Sequence, residues 1–286
     1  MMVERTWIET LARKVGDVIR EDGTRAKHVS EKMSISDLVT ESDVKVEKMI
    51  RSAISTAFPD HKFFGEETTH EELTDDPTWV VDPIDGTSNF VHTFPLHSVS
   101  IAYCERKVPV IGVIYVPCRD EMFSAERGKG SFLNGKQISV TKRQVLQECI
   151  VSTGFHVGFL KKLRTLKQTK GENDETVKRL SQLRNVIYQN TEWLLENAQD
   201  IRRTGACSVD MCYVACGRLD AFAEIGPHEW DFAAGKIIVE EAGGFIKGFG
   251  RDFDLGNREV IVANTNEIAE LLSSNLLPSP LDISEF

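Results

Sequence analysis

Residues 79–90 read WVVDPIDGTSNF, and no other stretch restricts the fold of this chain so tightly. The apolar run Trp79, Val80 and Val81 predicts a buried strand. Its end delivers two carboxylates, Asp82 and Asp85, placed so that both can enter one cleft while Ile84 offers only its backbone carbonyl. Oxygen donors gathered this closely suit hard cations such as Mg²⁺ better than zinc or iron. The turn beginning at Gly86 then exposes backbone N–H groups, with the Thr87 and Ser88 hydroxyls, where an anion would sit. Metal ligands beside an anion cradle point to phosphate chemistry. The same residues also fit a strand running into an Asx-type turn, with Asp and Gly serving geometry alone. Five fixed residues (Asp, Pro, Asp, Gly, Thr) recur by chance in a chain of this length on the order of one time in ten thousand.

Two further segments weigh against the turn-only reading. Phe63-Phe64-Gly65-Glu66-Glu67 is an apolar strand end carrying paired carboxylates. Read alone, it also fits a solvated acidic loop, since Glu71, Glu72, Asp75 and Asp76 follow. Trp230-Asp231 opens a stretch with Ala233, Ala234, Ile237 and Ile238 at helical spacing, which places Asp231 near a helix N-terminus. A plain helix cap is the alternative there. Three acidic element ends flanked by apolar residues are more simply read as one site.

GEE, DPIDGTSNF and WDFAAGKIIVEEAGG (residues 230–244), preceded by Asp37-Leu38-Val39-Thr40-Glu41-Ser42-Asp43 and Lys32, together resemble the inositol monophosphatases, which are magnesium-dependent, lithium-sensitive phosphatases. The landmarks occur in the family's order across nearly the whole chain. The resemblance implies that Glu66, Asp82 and the Ile84 carbonyl hold one Mg²⁺. Asp82, Asp85 and Asp231 would hold a second, and a weaker third would sit near Glu66 and Glu67. It further implies that Gly86, Thr87 and Ser88 cradle the phosphate, and that Thr87, paired with Asp37, positions the attacking water. Lys32 belongs to a segment that closes over the site. Ala206, Cys207 and Glu224, with Asp85 and Asp231, meet the polyol. Paired metals suffice for the difficult hydrolysis of a phosphate monoester without a protein nucleophile.

Composition sets bounds. With 34 basic against 44 acidic residues the net charge is -10, which argues against a nucleic-acid backbone or an anionic membrane as partner. Six cysteines without a C-x-x-C pair read as reduced thiols in a cytoplasmic protein. Cys212 and Cys216 share a helical face but have no ligand partners, so they read as core. No apolar run exceeds strand length.

Along the chain, Ile8, Leu11, Ala12, Val15, Val18 and Ile19 predict one amphipathic helix; Val46, Met49, Ile50, Ala53 and Ile54 predict another, with Thr40 and Asp43 as its capping box. Strands follow from about 79 to 141, with Asn134-Gly135 as a hairpin turn. Helices are expected near 174–190 and 207–217, a strand through Ala221 and Ala223, then the Asp231 helix and a strand at 260–263. Lys161 to Glu175 reads as a surface loop between halves. The pattern predicts a layered α/β protein. The resemblance gives its form: an αβαβα sandwich with two β-sheets, a single domain over 1–286 with halves of roughly 1–150 and 151–286, assembled as a homodimer.

Gly130 to Lys136 has Walker A spacing, but Gln137 stands where a Mg²⁺-binding hydroxyl belongs and the segment falls at a hairpin. Asp82 and Asp85 are too far apart in sequence for an aspartyl-nucleophile phosphatase. His92 and His97 read as local packing, and His228 as a neighbour of the Asp231 turn. Two departures from the family pattern bear on substrate. Cys207 replaces the more usual alanine, and Arg202-Arg203 could meet a second phosphate. The expected substrate is myo-inositol 1-phosphate or a close isomer. The alternatives are a related sugar phosphatase or bisphosphatase, or a non-catalytic metal-binding regulator of the same fold.

Overall fold

The buried strand read at residues 79–81 belongs to a sheet that sets the layering. The computed structural model describes residues 2–23, 29–31, 38–67 and 73–281. In chain order the elements are α1 (Arg5–Gly23), β1 (Val29–Glu31), β2 (Leu38–Thr40), α2 (Glu41–Ala57), β3 (Lys62–Gly65), β4 (Thr78–Asp85), α3 (Thr87–Val91), β5 (Ser98–Glu105), β6 (Val108–Val116), β7 (Glu121–Glu126), β8 (Ser131–Leu133) and β9 (Lys136–Ile138). The second half adds β10 (Ile150–Thr153), α4 (Val157–Lys170), α5 (Glu175–Asn197), β11 (Asp200–Arg202), α6 (Cys207–Ala215), β12 (Ala221–Ile225), α7 (Glu229–Glu241), β13 (Phe245–Lys247), β14 (Glu259–Ala263) and α8 (Asn266–Asn275).

Strands β3 to β9 form a seven-stranded sheet in sequential order, and the five-stranded sheet runs β11-β10-β12-β14-β13. Side chains of the first sheet leave its two faces alternately. Trp79, Val81, Ile101, Val113 and Tyr115 pack on α1 and α2, while Val80, Ala102, Ile114 and Val116 face α6 and α7. The second sheet repeats the device. Phe222, Val260 and Val262 join the α6–α7 layer, and Ala221, Ala223 and Ile261 meet α4, α5 and α8. The result is the expected αβαβα sandwich, with α6 and α7 shared by both sheets.

That central layer is held by close backbone approach. A Cβ on Gly112 of β6 would stand 2.5 Å from both the Ala234 carbonyl oxygen and Ile237 Cγ2 of α7. A Cβ on Gly235 would meet Met211 Sδ of α6 at 2.6 Å. Glycine is therefore what lets α7, the carrier of Asp231, lie flat on the sheet.

Asn134 and Gly135, with φ of 49° and 77°, form the β8–β9 turn as expected. One expectation fails. Lys161 to Glu175 is not a loop, because residues 157–170 form α4 and only 171–174 connect it to α5. Phe159, Leu163 and Leu166 recur at helical spacing and reach the α5–α8 core, and their burial outweighs the lysine-rich composition. Helix α5 also runs seven residues past the expected 190, because Leu194 continues its buried stripe.

Gly112→Ala should cost about 1–3 kcal/mol, because the new methyl meets backbone that cannot yield. Urea unfolding monitored by circular dichroism checks this.

Candidate active site

Asp82 and Asp85 end β4, and Asp231 sits in the first turn of α7. One carboxylate oxygen from each lies within 4.8 Å of the others. Asp82 is 1 % exposed, and its Oδ1 is buried without a hydrogen-bond partner among the described residues. Burial comes first in raising the Asp82 carboxyl well above its ordinary range, followed by the charges of Glu66, Asp85 and Asp231. Burial and Asp231 push Asp85 up to about 7, and burial pushes Asp231 up to about 6. An orphaned buried oxygen within a like-charged oxygen cluster is a donor set made for a hard divalent cation. Glu66 follows β3, and its charge acts on Asp82, although its oxygens are outside the tight three-residue group.

Two helix N-termini each hold one carboxylate oxygen of the cluster residues. Asp85 Oδ2 accepts from the Ser208 N–H at 2.7 Å and from the Ser208 hydroxyl, in the first turn of α6. Asp231 Oδ2 accepts from the His228 N–H at 2.6 Å. Asp231 is therefore both a helix cap and a member of the cluster, so the two sequence readings hold together. His228 stacks on Trp230 at 4.4 Å, and burial lowers its imidazole to about 3, keeping it neutral.

Gly86 opens α3 at φ 85°, where a Cβ would crowd Ala206 Cβ and the Leu96 carbonyl at 3.1 Å. Thr87 follows, its Oγ1 donating to the Ile84 carbonyl (3.2 Å) and to Asp43 Oδ1 (3.4 Å). Ser88 is exposed on the same short helix. Lys32 and Asp37 lie outside the described residues. The carboxylate that Thr87 reaches is Asp43, on α2 and 1 % exposed. Glu67 donates its N–H to Glu47 Oε2 at 2.7 Å, and Glu47 is fully buried on α2. The sequence reading missed Asp43 as a site residue and Glu47 altogether. Their signal was two acids inside the apolar stripe of Val46, Ile50 and Ile54.

Beside this cluster lies a cavity of roughly 250 Å³, lined by Asp85, Asp231, Ala206, Cys207, Glu224 and Arg203 among others. Burial, with Asp210 next, pushes Glu224 up to about 8. Cys207 is almost fully buried, and burial with the surrounding carboxylates keeps its thiol protonated. Asp210, also in the cavity wall, accepts from Ser152 (2.6 Å) and Thr204 (2.8 Å). Of the arginine pair, Arg202 turns outward to Asp200, whereas Arg203 faces the cavity and makes no direct ion pair among the described residues.

An oxygen-rich carboxylate cluster, an anion-ready turn and a polar cavity define a metal-dependent phosphatase centre. Residues 4–278 match the sequence profile of the inositol monophosphatase family. The chain is 43% identical to inositol monophosphatase 2 of Solanum lycopersicum over 264 residues, 89% of this chain and 91% of that protein. It is 39% identical to human inositol monophosphatase 1, covering 95% and 93%. A Thermotoga maritima inositol monophosphatase structure superposes with a TM-score of 0.79 at 33% identity, over 95% of each chain. The chain belongs to the inositol monophosphatase family, whose members are metal-dependent phosphatases.

The raised carboxylates fix a pH dependence. Unfolded aspartates ionise near 3.8, whereas Asp231 and Asp85 of the metal-free fold keep their protons to about 6 and 7. Unfolding then releases protons, so stability is greatest below about 4 and falls as pH rises to about 7. Thermal unfolding in excess chelator should show that decline for wild type. Asp85→Asn should make it shallower.

Proposed function

We propose that this protein releases inorganic phosphate from myo-inositol 1-phosphate or a close isomer. The convergence of Asp82 with Asp85 and Asp231, the latter two lining a polyol-sized cavity, carries this reading. Glu66, Asp82, the Ile84 carbonyl, Asp85 and Asp231 would hold two Mg²⁺ ions, with Glu67 near a weaker third. Bound Mg²⁺ lowers the pKa of water and offsets charge on the phosphate and on the departing oxygen.

The remaining roles fall to side chains. Gly86, Thr87 and Ser88 hold the phosphate against the start of α3. The single proton of Thr87 Oγ1 is engaged by Asp43 and the Ile84 carbonyl, so its lone pairs face outward to accept from the attacking water. Buried Asp43 then takes the role that the resemblance gave to Asp37. Glu224 meets ring hydroxyls, and Ala206 and Cys207 shape the wall beneath the ring. Lys32 remains a proposed closing residue. Six cysteines outside any disulfide are consistent with a reducing cytoplasm, and no described helix is long and apolar enough to cross a membrane. Assembly as a homodimer is part of the same proposal.

Arg203 favours a second reading. A guanidinium in the ring cavity, without an ion pair among the described residues, can meet a second anionic group on the substrate. Phosphate release with Mg²⁺ should therefore be compared for inositol 1-phosphate, fructose 1,6-bisphosphate, glucose 1-phosphate and adenosine 3′,5′-bisphosphate, each with and without lithium. The expected result is a kcat/KM at least tenfold higher on inositol 1-phosphate, with lithium inhibition. A bisphosphate preference that Arg203→Gln abolishes would instead establish the second reading. Asp231→Asn should lose at least a hundredfold in kcat on any accepted substrate while remaining folded.

A further inference from the structure

Asp85 Oδ2 takes two donors from one residue, the backbone N–H and the hydroxyl of Ser208, and Oδ1 accepts from no described residue. The contact joins the seven-stranded sheet to α6 across 123 positions of sequence. Ser208 in turn lies 2.6 Å from Ser98 Oγ, and both hydroxyls are fully buried. Ser98 is also the cross-strand partner of Asp85 in the β4–β5 register. A proton count orients the chain of bonds. Ser208 has one hydroxyl proton, and it goes to Asp85 Oδ2. Ser98 must therefore be the donor in the contact between the two serines. A hydroxyl that accepts one bond while donating another is a stronger donor, so Ser98 polarises Ser208 toward Asp85.

Neither serine touches the cavity. Their arrangement has a consequence for the neighbouring carboxylate cluster. A carboxylate pinned at one oxygen by two donors keeps a single orientation and presents its other oxygen without a search. We propose that Ser208, polarised by Ser98, is a positioning residue that fixes Asp85 for divalent-cation binding. This assignment rests on the metal-dependent reading of the site. Ser98 supports the effect through Ser208 and has no contact with a ligand of its own. Ser208→Ala keeps the backbone donor, so it removes half of the grip on Asp85 and leaves the helix start intact.

The test is direct Mg²⁺ binding by calorimetry to full-length wild type, Ser208→Ala, Ser98→Ala and the double variant, with metal-free thermal unfolding alongside. Outer-layer partners of metal ligands commonly carry ten- to a hundredfold of affinity. The expected loss is about tenfold for Ser208→Ala and about threefold for Ser98→Ala. The double variant should match Ser208→Ala within about twofold, because the two serines act in series. A purely structural role would lower the unfolding temperature and leave the Mg²⁺ affinity unchanged. Ser208→Ala binding within about twofold of wild type would overturn the assignment alone. Failure of wild type to bind Mg²⁺ would overturn the phosphatase reading with it.

Discussion

Three carboxylates within 4.8 Å of one another are the constraint on which this structure turns. At an effective dielectric of about 20, each ionised pair at that distance repels by about 3 kcal/mol. Three such pairs approach about 10 kcal/mol, comparable to the whole stability of an ordinary domain. The fold cannot hold Asp82, Asp85 and Asp231 all ionised without something positive between them. Proton uptake is one solution and a divalent cation is the other; the orphaned Asp82 Oδ1 is the atom that a proton-only solution leaves unexplained.

The sandwich exists to bring these groups together and keep them there. Asp82 and Asp85 arrive on a strand of the larger sheet, and Asp231 arrives on a helix wedged between the sheets. Helices α6 and α7 each turn an N-terminus toward the cluster, giving Asp85 and Asp231 a dipole and a backbone donor. These contacts orient two of the three acids but neutralise none of them. Close glycine contacts at Gly112 and Gly235 hold the central helices at the separation this requires. The carboxylate cluster and the glycine-lined core are thus one design: packing from apolar surface offsets the cost of charge at the layer boundary.

Much of this was legible in the sequence because it is local. The 79–90 segment shows its strand, its acids and its turn within a dozen residues, and Asp231 announces its helix start. The layering followed from period-two and helical patterns, with α4 the exception because lysines on its exposed face masked the stripe of Phe159, Leu163 and Leu166. The missed features are those that only tertiary contact creates. Asp43 reads locally as a capping residue, and nothing nearby shows that Thr87 comes to it from 44 positions away. Glu47 sits among apolar residues, where a buried acid is the least expected choice. Ser98 and Ser208 are small polar residues in apolar elements and acquire meaning only when the sheets close. Arg202 and Arg203 are adjacent, yet chain direction sends one to solvent and the other to the cavity.

The most direct measurement is the number of protons released when Mg²⁺ binds, from calorimetry at pH 6.5 in buffers of different ionisation enthalpy. Asp85 and Asp231, held at about 7 and 6, are partly protonated there before the ion arrives. The expected result is a binding enthalpy that varies with buffer and corresponds to at least about one proton released per site, because Asp82 is raised as well. A buffer-independent enthalpy would mean that the cluster was already ionised, and would contradict the claim that charge repulsion among these three acids governs the site.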